Sequence, residues 1–247
     1  MPDTPHADPI EEGRRLVTRA GADGVTLRLL GGVAIRLQAP DAGPLLTRDI
    51  KDIDVVTPRG NNRALATVFS GLGYLGDEMF NAMHGTHRQL WVDPVNRRQV
   101  DVFVGAFEMC HSIPIAERLD REPLTVPRAE LLLTKLQIIQ LNERDERDIY
   151  NLCFHHDLDA IGAGYVAELC ARDWGLWRTC RQTIERCVAD VGGYALTPEQ
   201  QELIAGRLDG LWERIEAEPK SGKWKRRSRV GDRKRWYEEP EEEASAV

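Results

Sequence analysis

The chain has no apolar run approaching the ~18 residues that cross a bilayer, which excludes an integral membrane protein built on helices. Its N-terminal octet has neither a basic stretch nor an apolar core, so no secretory signal is expected there. Five cysteines (110, 153, 170, 180 and 187) are an odd number, and no two stand in a C-x-x-C spacing. Neither a disulfide framework nor a zinc ribbon fits that set. No internal repeat is visible. These absences leave a soluble, reduced protein with an expected cytoplasmic location and no membrane partner. What is present is ordinary: 247 residues, 42% hydrophobic and 30% charged, suit one large globular domain or two modest ones.

The formal net charge of −7 conceals an asymmetry. Residues 220–237 carry nine Lys/Arg against one Asp, while residues 238–247 carry five Glu. A basic block on an acidic body suits a polyanion, because Lys and Arg gain affinity by displacing phosphate counterions. Trp224, Trp236 and Tyr237 among those charges offer stacking surfaces for bases. The plain alternative is a solvated tail folded back on its own glutamates.

Along the chain, a helix is expected over 10–20 and a short strand over 26–30, broken by Gly31 and Gly32. A helix then opens at 33–37, and residues 38–44 read as a turn. Residues 52–57 alternate like a strand, a helix follows near 62–73, and strands at 87–93 and 99–104 form a hairpin. Beyond residue 126 the period is helical, with helices near 127–140, 163–172, 174–190 and 197–217 and a helix capped by Asn142. The division is an α/β part at 1–125, a helical domain at 126–218 and a charged, flexible tail at 219–247.

The most informative segment is Asp52, Ile53 and Asp54. Alternate side chains on a strand share a face, so the two carboxylates point together, about 7 Å apart at Cα. Held there on stiff backbone, they repel unless a cation lies between them. Asp101, flanked by Val100 and Val102, supplies a third carboxylate if its strand lies alongside. Three oxygen-only ligands favour Mg²⁺, or Mn²⁺, over zinc. Gly31 and Gly32, without Cβ atoms, let backbone approach a phosphate chain at a helix N-terminus.

Gly31-Gly32, then Arg48, Lys51, Asp52 and Asp54, then Asp101, together resemble the DNA polymerase beta-like nucleotidyltransferase superfamily. Within it, the run into Asp52 and Asp54 is similar to abortive-infection AbiEii-type toxins and to some aminoglycoside adenylyltransferases. Ile50 stands where those families have Ser or Thr, and nineteen residues (33–51) separate Gly32 from Asp52. The resemblance covers about residues 26–152. It implies an α+β fold: a nucleotidyltransferase-type mixed sheet with flanking helices, followed by a C-terminal helical domain. It also implies catalytic, metal-holding Asp52, Asp54 and Asp101, an NTP substrate, and nucleotide contacts from Gly31, Gly32, Arg48 and Lys51.

A closing motif of that family is similar to Lys135, Arg144, Arg147 and Asp148, with Asn151 in place of a final Asp. The resemblance gives these residues to the nucleotide. Read without it, Glu143–Arg147 and Arg144–Asp148 are i, i+4 pairs that lace a solvated helix face at ~0.3–0.5 kcal/mol each. Lys135, among leucines, either extends to solvent or reaches a cleft. The expected activity is transfer of a nucleoside monophosphate from an NTP to a hydroxyl, releasing pyrophosphate. The acceptor is RNA (tRNA-like), held by the basic tail, or protein, and the AbiEii likeness implies a toxin with an antitoxin partner. A small-molecule adenylyltransferase and an inactive nucleotide-binding module are the competing expectations.

Overall fold

The computed structural model describes residues 4–39 and 49–239. Arg48 lies outside the described residues. The described chain is α+β, with a five-stranded mixed sheet and eleven α-helices. It divides into two compact units: one from residues up to 39, 49–107 and 114–131, the other from 108–113 and 132–239. A short excursion at 108–113 belongs to the second unit.

In the first unit, α1 (Pro9–Ala22) starts at Asp8, whose carboxylate accepts from the Ile10 and Glu11 amides at 2.8 and 2.9 Å. Pro9 at the first helical position costs no hydrogen bond there. β1 (Arg28–Leu30) passes directly into α2 (Gly31–Gln38). Then come β2 (Ile53–Thr57), α3 (Asn62–Gly71), β3 (Leu75–Gly76), α4 (Glu78–His84), β4 (Arg88–Asp93) and β5 (Arg98–Val104). The sheet order is β1-β2-β5-β4-β3, with β2 and β5 parallel and the other pairs antiparallel. A parallel pair needs a crossover, which the chain from α3 through β4 supplies.

Ile53 and Val55 lie opposite Val100 and Val102 in register, and all four are wholly buried. Period-2 alternation then puts Asp54 and Asp101 together on the other face. The hairpin closes at Asp93↔Arg98, which sets Leu90 opposite Asp101 and Arg88 opposite Phe103. His84 is the last residue of α4.

A two-residue ladder, β6 (Phe107–Glu108) with β7 (Ser112–Ile113), precedes α5 (Arg128–Leu136). Glu130 in α5 is inaccessible to solvent, and neither of its carboxyl oxygens accepts a hydrogen bond among the described residues. Burial raises its pKa to about 7, against the attraction of Arg118, whose Nη1 is 3.3 Å away. The unfolded chain ionises this group near 4.5, so its contribution to stability is complete below that pH and is lost as pH rises towards 7. At ~1.4 kcal/mol per pKa unit, the loss is at most about 3.5 kcal/mol. Glu130→Gln should flatten that part of the curve and make the protein more stable than the native chain at pH 8. Denaturant unfolding of both proteins from pH 4.5 to 8.5 checks this, and parallel curves would refute it.

The second unit is helical: α6 (Glu143–His155), α7 (Leu158–Ile161), α8 (Ala163–Arg172), α9 (Trp174–Asp190), α10 (Pro198–Ala217) and α11 (Gly222–Ser228). Asn142 caps α6, accepting from the Arg144 and Asp145 amides. Thr197 and Gln200 form a reciprocal capping box at the start of α10. Tyr150 inserts fully between helices and donates to the Cys187 carbonyl at 2.9 Å. All five cysteines are free and buried. The segment expected as a tail carries α11, capped by Ser221, and its aromatics pack on α9, with Trp224 5.2 Å from Trp177 and Trp236 6.0 Å from Trp174.

Candidate functional site

Asp54 and Asp101 are Cα partners on the neighbouring parallel strands β2 and β5. Adjacent strands lie about 4.8 Å apart, so the two carboxylates spring from one place on one face. Asp54 is half-buried and Asp101 is 4% exposed. Asp52 is exposed and stands one residue ahead of β2.

Gly31 is fitted to Asp54. Its φ is +58°, in the left-handed region, and a Cβ built there would lie 2.0 Å from Asp54 Oδ2. Any side chain would both strain this backbone and displace the carboxylate. Gly31 is also the first residue of α2, whose N-cap Leu30 offers no side-chain acceptor. The first amides of a helix are donors without intrahelical partners, and here they begin beside a carboxylate pair. Gly32 follows, buried, in the same first turn, and Lys51 is exposed.

Arg88 was not singled out in the sequence. Its Nε lies 2.8 and 3.0 Å from the two oxygens of Asp101, and its Nη2 also donates to Oδ2. The guanidinium sits 5.5 Å from the Phe103 ring and 5.9 Å from Phe80. The signal was available: the four-residue turn at 94–97 fixes the hairpin register, which places Arg88 diagonal to Asp101 on the same face. The fork from Arg88 places two donors on Oδ2 and one on Oδ1, which fixes the plane of the Asp101 carboxylate.

The second unit holds the other candidates. Lys135 Nζ is 2.9 Å from Asp145 Oδ1 and 3.0 Å from Asp148 Oδ2. The ammonium neither extends into solvent nor lacks acid partners: its side chain is 13% exposed and both carboxylates are largely buried. Asp145 was missed in the sequence, although its i, i+3 spacing from Asp148 puts both on one helix face. Arg147 pairs with Glu143 at 2.7 Å and lies over the Tyr194 ring, while Arg144 is exposed. The lacing read from Glu143 and Arg147 is therefore present. Asn151 is buried, and its Oδ1 accepts no hydrogen bond among the described residues.

Hard oxygen donors suit Mg²⁺ or Mn²⁺, and adjacent Asp54 and Asp101, with Asp52 two residues ahead of Asp54, fit such an ion. Among the described residues, no three Asp, Glu, His or Cys side chains are already gathered as a ligand group. No helix among them is long and apolar enough to cross a membrane. No known protein family matches the chain, and no curated protein matches it.

Proposed function

We propose that the chain is a metal-dependent nucleotidyltransferase that moves a nucleoside monophosphate from an NTP to a hydroxyl. One observation carries this reading: Asp54 and Asp101 are paired across parallel strands, with Gly31 pressed against Asp54 at the first turn of α2. That arrangement sets carboxylates for cations beside backbone donors for phosphate. The sheet with its flanking helices is read as the nucleotidyltransferase fold on the same ground.

In this reading Asp52, Asp54 and Asp101 would hold Mg²⁺. When bound, the divalent ions offset charge on the triphosphate and lower the pKa of the acceptor hydroxyl. Asp101 takes the acceptor's proton, and Arg88 fixes the orientation of that carboxylate. A bond forms from the acceptor oxygen to the α-phosphorus as the bond to the pyrophosphate oxygen breaks. The Gly31 and Gly32 amides donate to the phosphate oxygens, and Lys51 and Arg48 add positive charge. Lys135, Arg144, Arg147 and Asp148 are assigned to the nucleotide on the family resemblance alone.

The acceptor is proposed to be RNA, because the basic segment 220–237 exceeds what a drug-like acceptor needs. The AbiEii likeness supports a toxin held in check by an antitoxin protein. Incubation with each labelled NTP, Mg²⁺ and total RNA tests the chemistry: label should enter RNA and pyrophosphate should appear in equal amount. Label in neither RNA nor any added protein or aminoglycoside would refute transferase activity.

A further inference from the structure

The second unit contains a cavity of about 750 Å³ between the 108–112 segment, the α8–α9 junction, α11 and residues 234–238. The geometry points to a binding site for one unpaired nucleotide of single-stranded RNA, and the choice of RNA over DNA rests on the acceptor proposed above. Ligand pockets commonly enclose about 300–1,000 Å³, so a base with its ribose and phosphate fits.

The cavity wall is built rather than incidental. Gly175 opens α9 without a side chain, and a Cβ there would lie 2.6 Å from the Trp236 carbonyl oxygen. That close approach lets residues 234–238 lie against the helix. Trp236 Nε1 donates to Thr179 Oγ1 at 3.1 Å, and the Glu238 amide donates to the Cys110 carbonyl at 3.0 Å. Arg227 spans the inner turn, donating to the Gly231 and Lys234 carbonyls at 2.8 and 2.7 Å, with its guanidinium 4.5 Å from the Trp174 ring.

The lining matches a nucleotide in two respects. Trp224, Trp236 and Tyr237 supply aromatic surface on which a base stacks, with Trp174 buried behind them. Arg227, Lys223 and Lys234 supply positive charge, and none of the three forms an ion pair among the described residues. His111, also in the lining, adds no charge near neutrality, because burial pushes its pKa down to about 4 and its Nε2 is bonded to Thr179. Outside the cavity Lys225, Arg226, Arg229 and Arg233 are all exposed, extending the cationic surface beyond one nucleotide. A concave pocket admits a splayed base and excludes a stacked pair, which favours a single strand over a duplex.

The test uses the full chain without metal or NTP, so transferase activity plays no part in it. The probe is an eight-nucleotide single-stranded RNA bearing 2-aminopurine, compared with a blunt duplex of the same length and with AMP. The single strand should bind with quenched 2-aminopurine fluorescence, and the duplex and AMP should bind at least tenfold more weakly. Lys223→Ala with Lys234→Ala, both exposed, should weaken binding about tenfold at low salt and reduce the salt slope by about 1.4. Tyr237→Leu should relieve the quenching while circular dichroism stays unchanged. Equal affinity and slope in the double variant, absence of quenching, or equal binding of duplex or AMP would overturn the site. An inactive chain that still binds and quenches the strand would sink only the transferase reading.

Discussion

Asp54→Asn should reduce nucleotide transfer by at least about a thousandfold while leaving the thermal unfolding midpoint within a degree or two. A thousandfold loss corresponds to about 4 kcal/mol of transition-state stabilisation, which is reasonable for removing one full charge from a cation site. The substitution preserves shape, because Asn matches Asp atom for atom and Gly31 leaves space for the group at that position. Parallel assays of label transfer and unfolding separate the two effects. Gly31→Ala makes a complementary variant: its Cβ would meet Asp54 Oδ2 at 2.0 Å, at a φ of +58°. It should lose both activity and stability, since the strain falls on backbone and carboxylate together. Full transfer by Asp54→Asn with Mg²⁺ would remove Asp54 from any catalytic role.

The sheet's centre was legible because its apolar residues repeat with period two. Ile53, Val55, Val100 and Val102 form one wholly buried stripe, so Asp54 and Asp101 had to share the opposite face once the strands paired in that register. α4 was not legible: its seven residues bury nothing, Met79 and Met83 are exposed, and no apolar stripe marks the element. α11 was hidden by composition, since dense like charge reads as a tail until Ser221 and Trp224 anchor it. The helix expected to reach 140 stops at Leu136, where the buried Gln137 side chain instead accepts from the His111 amide at 2.6 Å.

The candidate site divides along the same line. The carboxylates and the glycine were visible as a local motif, whereas Arg88 and Asp145 act through partners 13 and 10 residues away in sequence. A one-dimensional motif contains no such partner until hairpin register or helix packing supplies it. Residues 40–48, Arg48 among them, fall outside the described residues, so of the long spacing between Gly32 and Asp52 only α2 to Gln38, Ala39 and residues 49–51 are described.

Lys135→Met should destabilise the second unit by about 3–5 kcal/mol, the usual consequence of removing one member of a buried ion pair. Met keeps the length and volume of the stem but takes the ammonium from between Asp145 and Asp148, which are 8% and 4% exposed. Neutralising the acids as well, with Asp145→Asn and Asp148→Asn, should restore most of the loss, because the cost lies in the uncompensated charge rather than in the cavity. Denaturant unfolding of the single and triple variants measures both steps. The same proteins, with the double acid variant, decide what the lysine does for an NTP. If the triple variant regains stability and NTP affinity together, Lys135 acts by holding α5 and α6 in place. If it regains stability alone, and Asp145→Asn with Asp148→Asn in the presence of Lys135 keeps NTP affinity, the ammonium itself contacts phosphate. A single variant as stable as the native chain would show that the three charges are not coupled, and the buried cluster would lose its place in either account.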